Sequence, residues 1–209
     1  TFDDCQALVK GMFDDAAFRD GHKLAAVNSI NWMRIMAQVV YYFHAALALG
    51  APQRSVAFSV PTGNFGNIFA AYAAKACGLP VDQLIIGTNS NDILTRFFET
   101  GEMSMSPVVP TLAPAMDIQV SSNFERLMFD LCGRDGRVMT QSMAAFRDSG
   151  TMRLPDEAMA AARSLFDASR LDDGGIKAAI KRVREETGAL IDPHTATAIH
   201  AAAKTMREG

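Results

Sequence analysis

Seven consecutive residues, Pro61-Thr-Gly-Asn-Phe-Gly-Asn67, combine residue types that proteins use to bind a phosphate group. Gly63 and Gly66 allow the backbone to approach a ligand closely and to adopt a positive φ where a turn needs it. Asn64 and Asn67 add side-chain amide donors. The segment lacks the Gly-Lys-Ser/Thr end of a P-loop and the Gly-x-Gly-x-x-Gly spacing of dinucleotide-binding proteins. An ordinary strand-to-helix turn has a similar composition, so the residues alone leave phosphate binding and a plain turn about equally open.

A second cluster, Asn28-Ser-Ile-Asn-Trp-Met-Arg34, stands at the predicted start of a helix, with Asn28 or Ser29 as its N-terminal cap. Ser29, Asn31 and the N–H groups of the first turn could bind an anion, which Arg34 could clamp with two parallel hydrogen bonds. Arg34 lies roughly 140° around an ideal helix from Ser29, so only its long side chain would reach the same ligand. The alternative is an ordinary capped helix with a surface arginine, and the residues alone favour it.

The elements around these clusters alternate between strand and helix. Strands are predicted at residues 54–60 and 83–88, and helices at residues 67–77 and 91–99. Such alternation is typical of an α/β fold with parallel strands and right-handed crossovers. It places residues 61–67 between the end of a strand and the start of a helix, where the helix dipole favours an anion.

The second half of the chain is predicted to be mostly helical, with a strand within residues 163–170. We therefore expect an α/β part at residues 1–114 and a mostly helical part at residues 115–209. Asp192 as a cap and Pro193 in the first turn favour a structural role for His194 at the start of the last helix. The helices of this half are predicted at residues 123–132, 138–148, 176–187 and 193–207.

The composition excludes several classes of protein. The chain has 209 residues, of which 49% are hydrophobic and 21% charged, and its formal net charge of −3 offers no basic surface for a nucleic acid. The longest apolar stretch, residues 39–49, contains His44 and is shorter than the roughly 20 residues that span a membrane. Cys5, Cys77 and Cys132 lack metal-ligand spacing, so we expect reduced thiols in a cytoplasmic protein without a bound metal. The oligomeric state, including a homo-oligomer, stays open.

Taken together and in this order, these segments resemble the threonine synthase family. The resemblance covers nearly the whole chain and is to the longer bacterial and fungal branch of that family. The segments that carry it are residues 28–43, 61–67, 88–94, 115–126 and 192–196.

This resemblance implies part of a fold type II enzyme that uses pyridoxal 5′-phosphate (PLP). It also implies the conversion of O-phosphohomoserine and water to threonine and phosphate, with residues 1–114 in the large PLP-binding domain. The residues that it assigns to the cofactor phosphate are Gly63, Asn64, Phe65, Gly66 and Asn67. The residues that it assigns to the substrate phosphate are Ser29 and Arg34, with Asn31 as a weaker candidate.

The resemblance also points to groups outside this chain. The family's Schiff-base lysine and the threonine that contacts the pyridine nitrogen belong to two segments that have no match in this chain. We therefore assign no catalytic acid or base. We expect a piece of the enzyme that is cut at both ends and inactive alone. Asp117, Asn123 and Arg126 lie in matching segments without an assigned role, and for Arg126 we favour a structural ion pair. Two alternatives remain, namely another fold type II PLP enzyme such as a serine or threonine dehydratase, and a non-catalytic binding protein related to threonine synthase.

Overall fold

The computed structural model describes residues 2–25 and 31–207. Helices and strands alternate through the middle of the chain, and helices dominate its two ends. In chain order, the elements are α1 (Phe2–Asp14), α2 (Ala16–His22), α3 (Trp32–Ala48), β1 (Val56–Pro61), α4 (Gly66–Ala76), β2 (Val81–Thr88), α5 (Ile93–Thr100), β3 (Glu102–Ser104), a 3₁₀ turn (Pro114–Met116), α6 (Phe124–Leu131), α7 (Gly136–Ser149), β4 (Thr151–Arg153), α8 (Asp156–Leu165), β5 (Phe166–Arg170), α9 (Asp173–Thr187) and α10 (Pro193–Thr205).

Within the described residues, three parallel strands form the main sheet in the spatial order β1-β2-β5. At the carboxyl ends of the strands, Pro61 pairs with Gly87 and Thr88 pairs with Arg170. β2 is the central strand, and its residues 83–88 are all buried, as expected for a parallel strand that is covered on both faces. The predicted α/β fold with parallel strands is confirmed. β3 and β4 form a separate antiparallel pair.

Helix α10 packs directly on the sheet, and this contact depends on a residue without a side chain. A Cβ atom at Gly87 would lie 2.8 Å from the backbone nitrogen of Ala198 and 2.8 Å from the carbonyl oxygen of Thr197. Ser59 of β1 donates a hydrogen bond of 2.7 Å from its hydroxyl to the Ala198 carbonyl. The close approach therefore fixes the start of α10 beside the carboxyl ends of the strands.

The observed elements differ from the predicted ones at several boundaries. The predicted cap at Asn28 or Ser29 is wrong, because α3 begins at Trp32 and its N-cap is Asn31, whose side chain accepts a hydrogen bond of 2.9 Å from the Met33 N–H. The strand predicted within residues 163–170 starts only at Phe166. The residues before it belong to α8, which the sequence reading missed.

The second half of the chain is mostly helical, as predicted, but it also contributes to the sheet. β5 comes from this half and pairs with β2, so the sheet joins both parts of the chain. The division between residues 114 and 115 stays a prediction. None of the helices described here combines the length and the apolar character that a membrane-spanning segment requires.

Candidate functional site

The loop between β1 and α4 has the geometry of an anion site. β1 ends at Pro61 and α4 begins at Gly66, and among the described residues no side chain caps this helix. The first N–H groups of a helix have no intrahelical acceptor, and the positive end of the helix dipole lies at the same place. An anion at the start of α4 would therefore meet both unpaired donors and a favourable field.

Phe65 gives this loop its shape. It is the N-cap residue of α4 and has a left-handed backbone, with φ 65° and ψ −3°. The sequence predicts that the glycines of the loop supply any positive φ, because this conformation costs a residue with a Cβ more than it costs glycine. The side chain of Phe65 is only 1% exposed, and its ring centroid lies 5.0 Å from that of Phe124 and 5.8 Å from that of Phe166. This packing holds the strained residue in place.

A second segment of the chain covers the loop from the other side. A Cβ atom at Gly63 would lie 3.1 Å from the Ala115 carbonyl oxygen and 3.1 Å from the Cα atom of Met116, so any other residue would push this backbone away by a few tenths of an ångström. Ser121 donates a hydrogen bond of 2.7 Å to the Gly63 carbonyl. The Asn64 carbonyl accepts two hydrogen bonds of 3.1 Å from Asn123, one from its backbone N–H and one from its side-chain amide. These bonds explain why Asn123 is almost fully buried.

Asp117 organises the segment that leads to Ala115. Its Oδ1 accepts hydrogen bonds from Asn89 Nδ2 (2.7 Å), Asn91 Nδ2 (2.9 Å) and the Thr111 hydroxyl (2.7 Å), and its Oδ2 accepts one from the Thr111 N–H (2.9 Å). Asn89 and Asn91 are themselves buried at the carboxyl end of β2. The network therefore ties the segment after β3 to the end of the central strand, and it gives Asp117 a structural role.

The loop opens onto a cleft of about 340 Å³. Arg34 of α3 and His194 of α10 both line this cleft. The volume lies within the range that small-molecule sites occupy. The residues that line the cleft are Arg34, Gln38, residues 61–68, Ala115, Met116 and His194.

His194 is held in one orientation by contacts on both ring nitrogens. Its Nε2 accepts a hydrogen bond of 3.3 Å from the Ala115 N–H, which leaves Nδ1 as the protonated nitrogen facing Asp192 Oδ1 at 3.1 Å. Asp192 is the N-cap of α10, as predicted. A hydrogen bond from the Thr195 hydroxyl, followed by smaller contributions from the Thr195 and His194 N–H groups, lowers the pKa of Asp192 to about 2. The capping role predicted for this turn is present, and the turn also borders the cleft.

The structure brings most of the predicted site residues together. All five candidates for the cofactor phosphate line the cleft, and so does Arg34. Asn31 caps α3 and is not among the lining residues, while Ser29 lies outside the described residues. Arg126 donates a hydrogen bond of 3.0 Å from Nε to Asn123 Oδ1 and stacks 5.8 Å from the centre of the Trp32 ring. These two contacts are compatible with the structural role that was favoured for it.

Comparison with known proteins gives a consistent result. No protein-family model matches the chain. It is 54% identical over 206 residues to threonine synthase from Pseudomonas aeruginosa, covering 99% of this chain and 44% of that protein. It is 40% identical over 230 residues to threonine synthase from Schizosaccharomyces pombe, covering 99% of this chain and 45% of that protein.

Solved structures agree with these relatives. A PLP-bound threonine synthase from Brucella melitensis superposes with a TM-score of 0.93 at 52% identity, covering 100% of this chain and 45% of that one. The yeast enzyme superposes with a TM-score of 0.86 at 38% identity, covering 98% of this chain and 43% of that one. The parallel sheet and its helices thus match part of the fold of fold type II PLP-dependent enzymes.

Within that class, the chain is homologous to threonine synthases over the region that it spans. It covers somewhat less than half the length of the relatives that it matches, which agrees with the expectation of a piece of a longer enzyme.

Proposed function

We propose that this chain provides the cofactor-phosphate site of a PLP-dependent threonine synthase, which converts O-phosphohomoserine and water to threonine and phosphate. The observation that carries this proposal is the loop of residues 61–67 at the carboxyl end of β1, which lines one cleft together with Arg34. The relatives named threonine synthase and the PLP-bound enzyme from Brucella melitensis support it.

The residues of the cleft fit the phosphate of PLP. The uncapped start of α4 offers backbone donors, and Asn64 and Asn67 add amide groups beside it. Gly63 lets the backbone of residues 115–116 close over the loop. When bound, PLP supplies the electron sink for the reaction. The residues of this chain bind and orient the phosphate end of the cofactor, and the Schiff-base lysine is expected in a part of the enzyme outside this chain.

Arg34 is proposed to bind the phosphate of the substrate. Arg34 lies on α3 and lines the same cleft as the cofactor loop, which is where a phosphorylated substrate of a PLP enzyme must lie. A guanidinium group can bind a phosphate with two parallel hydrogen bonds. Ser29 and Asn31 complete this proposed set. The carbonyl oxygen of the Asn31 side chain is engaged in capping α3, which makes Asn31 the weaker candidate of the set.

The proposal is tested by exchanging the matching region of the Pseudomonas aeruginosa threonine synthase for this chain. We expect the hybrid to release phosphate from O-phosphohomoserine and to form threonine. An Arg34→Gln substitution in the hybrid should raise KM for O-phosphohomoserine by about tenfold or more, since it removes a charged hydrogen-bond donor to phosphate. Arg54→Gln, an identical change at an exposed position before β1, is the matched control.

Two results would reject these assignments. A folded, PLP-binding hybrid that instead deaminates serine or threonine would identify another fold type II activity. An unchanged KM in the Arg34→Gln hybrid would remove the substrate-phosphate role while leaving the cofactor loop intact. The expected cytoplasmic location and the oligomeric state stay predictions.

A further inference from the structure

The amide group of Asn67 is oriented by a buried tyrosine. Tyr42, on α3, is 6% exposed and donates a hydrogen bond of 2.5 Å from its hydroxyl to Asn67 Oδ1. Its ring packs edge-on against Phe58 of β1, with 4.9 Å between the ring centroids. The tyrosine is therefore fixed by the core on one side and holds the oxygen of the Asn67 amide on the other.

Asn64 shows the same arrangement on the other side of the loop. Its Oδ1 accepts a hydrogen bond of 3.2 Å from the Ser122 hydroxyl, and Ser122 in turn accepts one of 3.5 Å from Gln6 Nε2. In the part of the chain that the structure describes, neither Asn64 Nδ2 nor Asn67 Nδ2 donates to a protein acceptor, although both asparagines line the cleft. Each amide thus has an engaged oxygen and an available nitrogen.

We infer that Tyr42 is a positioning residue of the phosphate site, which turns the Asn67 amide so that its nitrogen, not its oxygen, meets the anion. An asparagine amide can present either end to a ligand, and a phosphate accepts hydrogen bonds but repels a carbonyl oxygen. The Tyr42 hydroxyl removes this choice because it occupies Oδ1. Ser122 has the same relation to Asn64. The inference rests on the proposed function, since it concerns the same phosphate.

Burial supports the role of Tyr42 as a lasting donor. Burial of the Tyr42 side chain raises the pKa of its hydroxyl well above the ordinary value of 10, so the hydroxyl stays protonated in the pH range in which proteins function. A buried hydroxyl also needs a partner, because an unpaired one costs free energy. Asn67 Oδ1 is that partner, and the pairing makes the orientation of the amide part of the stable core.

The test uses pyridoxine 5′-phosphate, which has the ring and phosphate of the cofactor but no aldehyde to react with lysines. Its binding to the ¹⁵N-labelled chain is followed by NMR, with pyridoxine as the control without phosphate. The variants are Tyr42→Phe, Asn67→Ala and the double variant. Tyr72→Phe is the matched control, because it deletes a tyrosine hydroxyl that donates to Asp130 away from the loop.

We expect Tyr42→Phe to weaken binding about five- to tenfold, the effect of losing one oriented hydrogen bond, and Asn67→Ala to weaken it at least as much. In the Asn67→Ala background, Tyr42→Phe should have no further effect, since Tyr42 acts through Asn67. Tyr72→Phe should leave binding unchanged. The side-chain amide protons of Asn67 should also shift when the wild-type chain is titrated.

Each alternative outcome has a distinct meaning. If the wild-type chain binds pyridoxine 5′-phosphate no better than pyridoxine, the cofactor-phosphate site itself is rejected. If it binds but the effect of Tyr42→Phe is the same with and without Asn67, the tyrosine acts only on the fold and the positioning role is rejected. Asn67 amide protons that do not respond to bound ligand would also reject it, even if Tyr42→Phe failed to fold.

Discussion

Asp117 offers a sharp test of how the segment over the loop of residues 61–67 is held. Its carboxylate accepts four hydrogen bonds, three at Oδ1 and one at Oδ2, from Asn89, Asn91 and Thr111. An Asp117→Asn substitution keeps the shape but replaces one oxygen by an NH₂ group. Of the two orientations of the new amide, the more favourable one keeps the three hydrogen bonds at Oδ1. It places the NH₂ group next to the Thr111 N–H, so that two donors face each other.

The cost follows from these contacts. Losing the bond from the Thr111 N–H costs about 1 kcal/mol, and leaving two donors face to face in a part-buried site adds about 1–2 kcal/mol. The three remaining bonds also lose the assistance of a charged acceptor. We therefore expect Asp117→Asn to lower the free energy of unfolding by about 3 kcal/mol, measured by urea denaturation with linear extrapolation.

The matched control is Asp173→Asn. Asp173 makes the same kind of bond to the same segment, but only one, since its Oδ1 accepts from the exposed Leu112 N–H at 3.0 Å. An asparagine keeps an oxygen there, so the cost should stay below about 1 kcal/mol. If Asp117→Asn and Asp173→Asn destabilise the chain equally, the Asp117 network does not hold the segment and the reasoning from its bond count is refuted.

Three further predictions concern the cleft. Gly63→Ala places a Cβ atom 3.1 Å from the Ala115 carbonyl oxygen, so it should lower the free energy of unfolding by about 1–3 kcal/mol in urea denaturation and weaken the binding of pyridoxine 5′-phosphate. Unchanged binding would show that this close approach does not shape the loop. In His194→Gln the side chain can still accept a hydrogen bond from the Ala115 N–H, whereas in His194→Asn it is too short to reach. Only the asparagine variant should therefore speed hydrogen exchange at the Ala115 amide and weaken the binding of pyridoxine 5′-phosphate about threefold. The hydrogen bond from Thr195 lowers the pKa of Asp192 to about 2, so the contribution of the Asp192 carboxylate to stability is complete above about pH 4 and is lost as the pH falls toward 2. The melting temperatures of the wild type and of Asp192→Ala should therefore converge over that range. A constant difference between the two melting temperatures would contradict this pH dependence.

The sequence predicts those parts of the site that are encoded by neighbours along the chain. The turn of residues 61–67 can be predicted because Gly and Asn are typical of the connection between a strand and a helix, although this composition alone does not separate a phosphate site from a plain turn. The Asp192 cap could be predicted for the same reason, since its partners are two and three residues away. Helix α8 is absent from the predicted elements, although Pro155 and the two acidic residues that follow it are a local signal for the start of a helix.

The remaining parts of the site depend on segments that are distant in the sequence. Tyr42 meets Asn67 across 25 positions, Ser121 meets Gly63 across 58, and His194 meets Ala115 across 79. No sequence pattern within a single element predicts such pairs, because each pair forms only when the sheet and the helices have packed together. Arg34 was selected by resemblance to a family, since its spacing from Ser29 alone favoured a surface arginine.

The same distant contacts explain how a strained loop can serve as a binding site. A left-handed phenylalanine before a helix is unfavourable, and it persists only where surrounding structure fixes it. Here α3 fixes Asn67 through Tyr42, the start of α6 fixes Asn64 through Asn123, and residues 115–116 close on Gly63. Because these supports are contacts within the protein, they restrict the directions that the donors of the loop can take. Under the proposed function, removing any one support should therefore reduce the affinity for phosphate even when the fold survives.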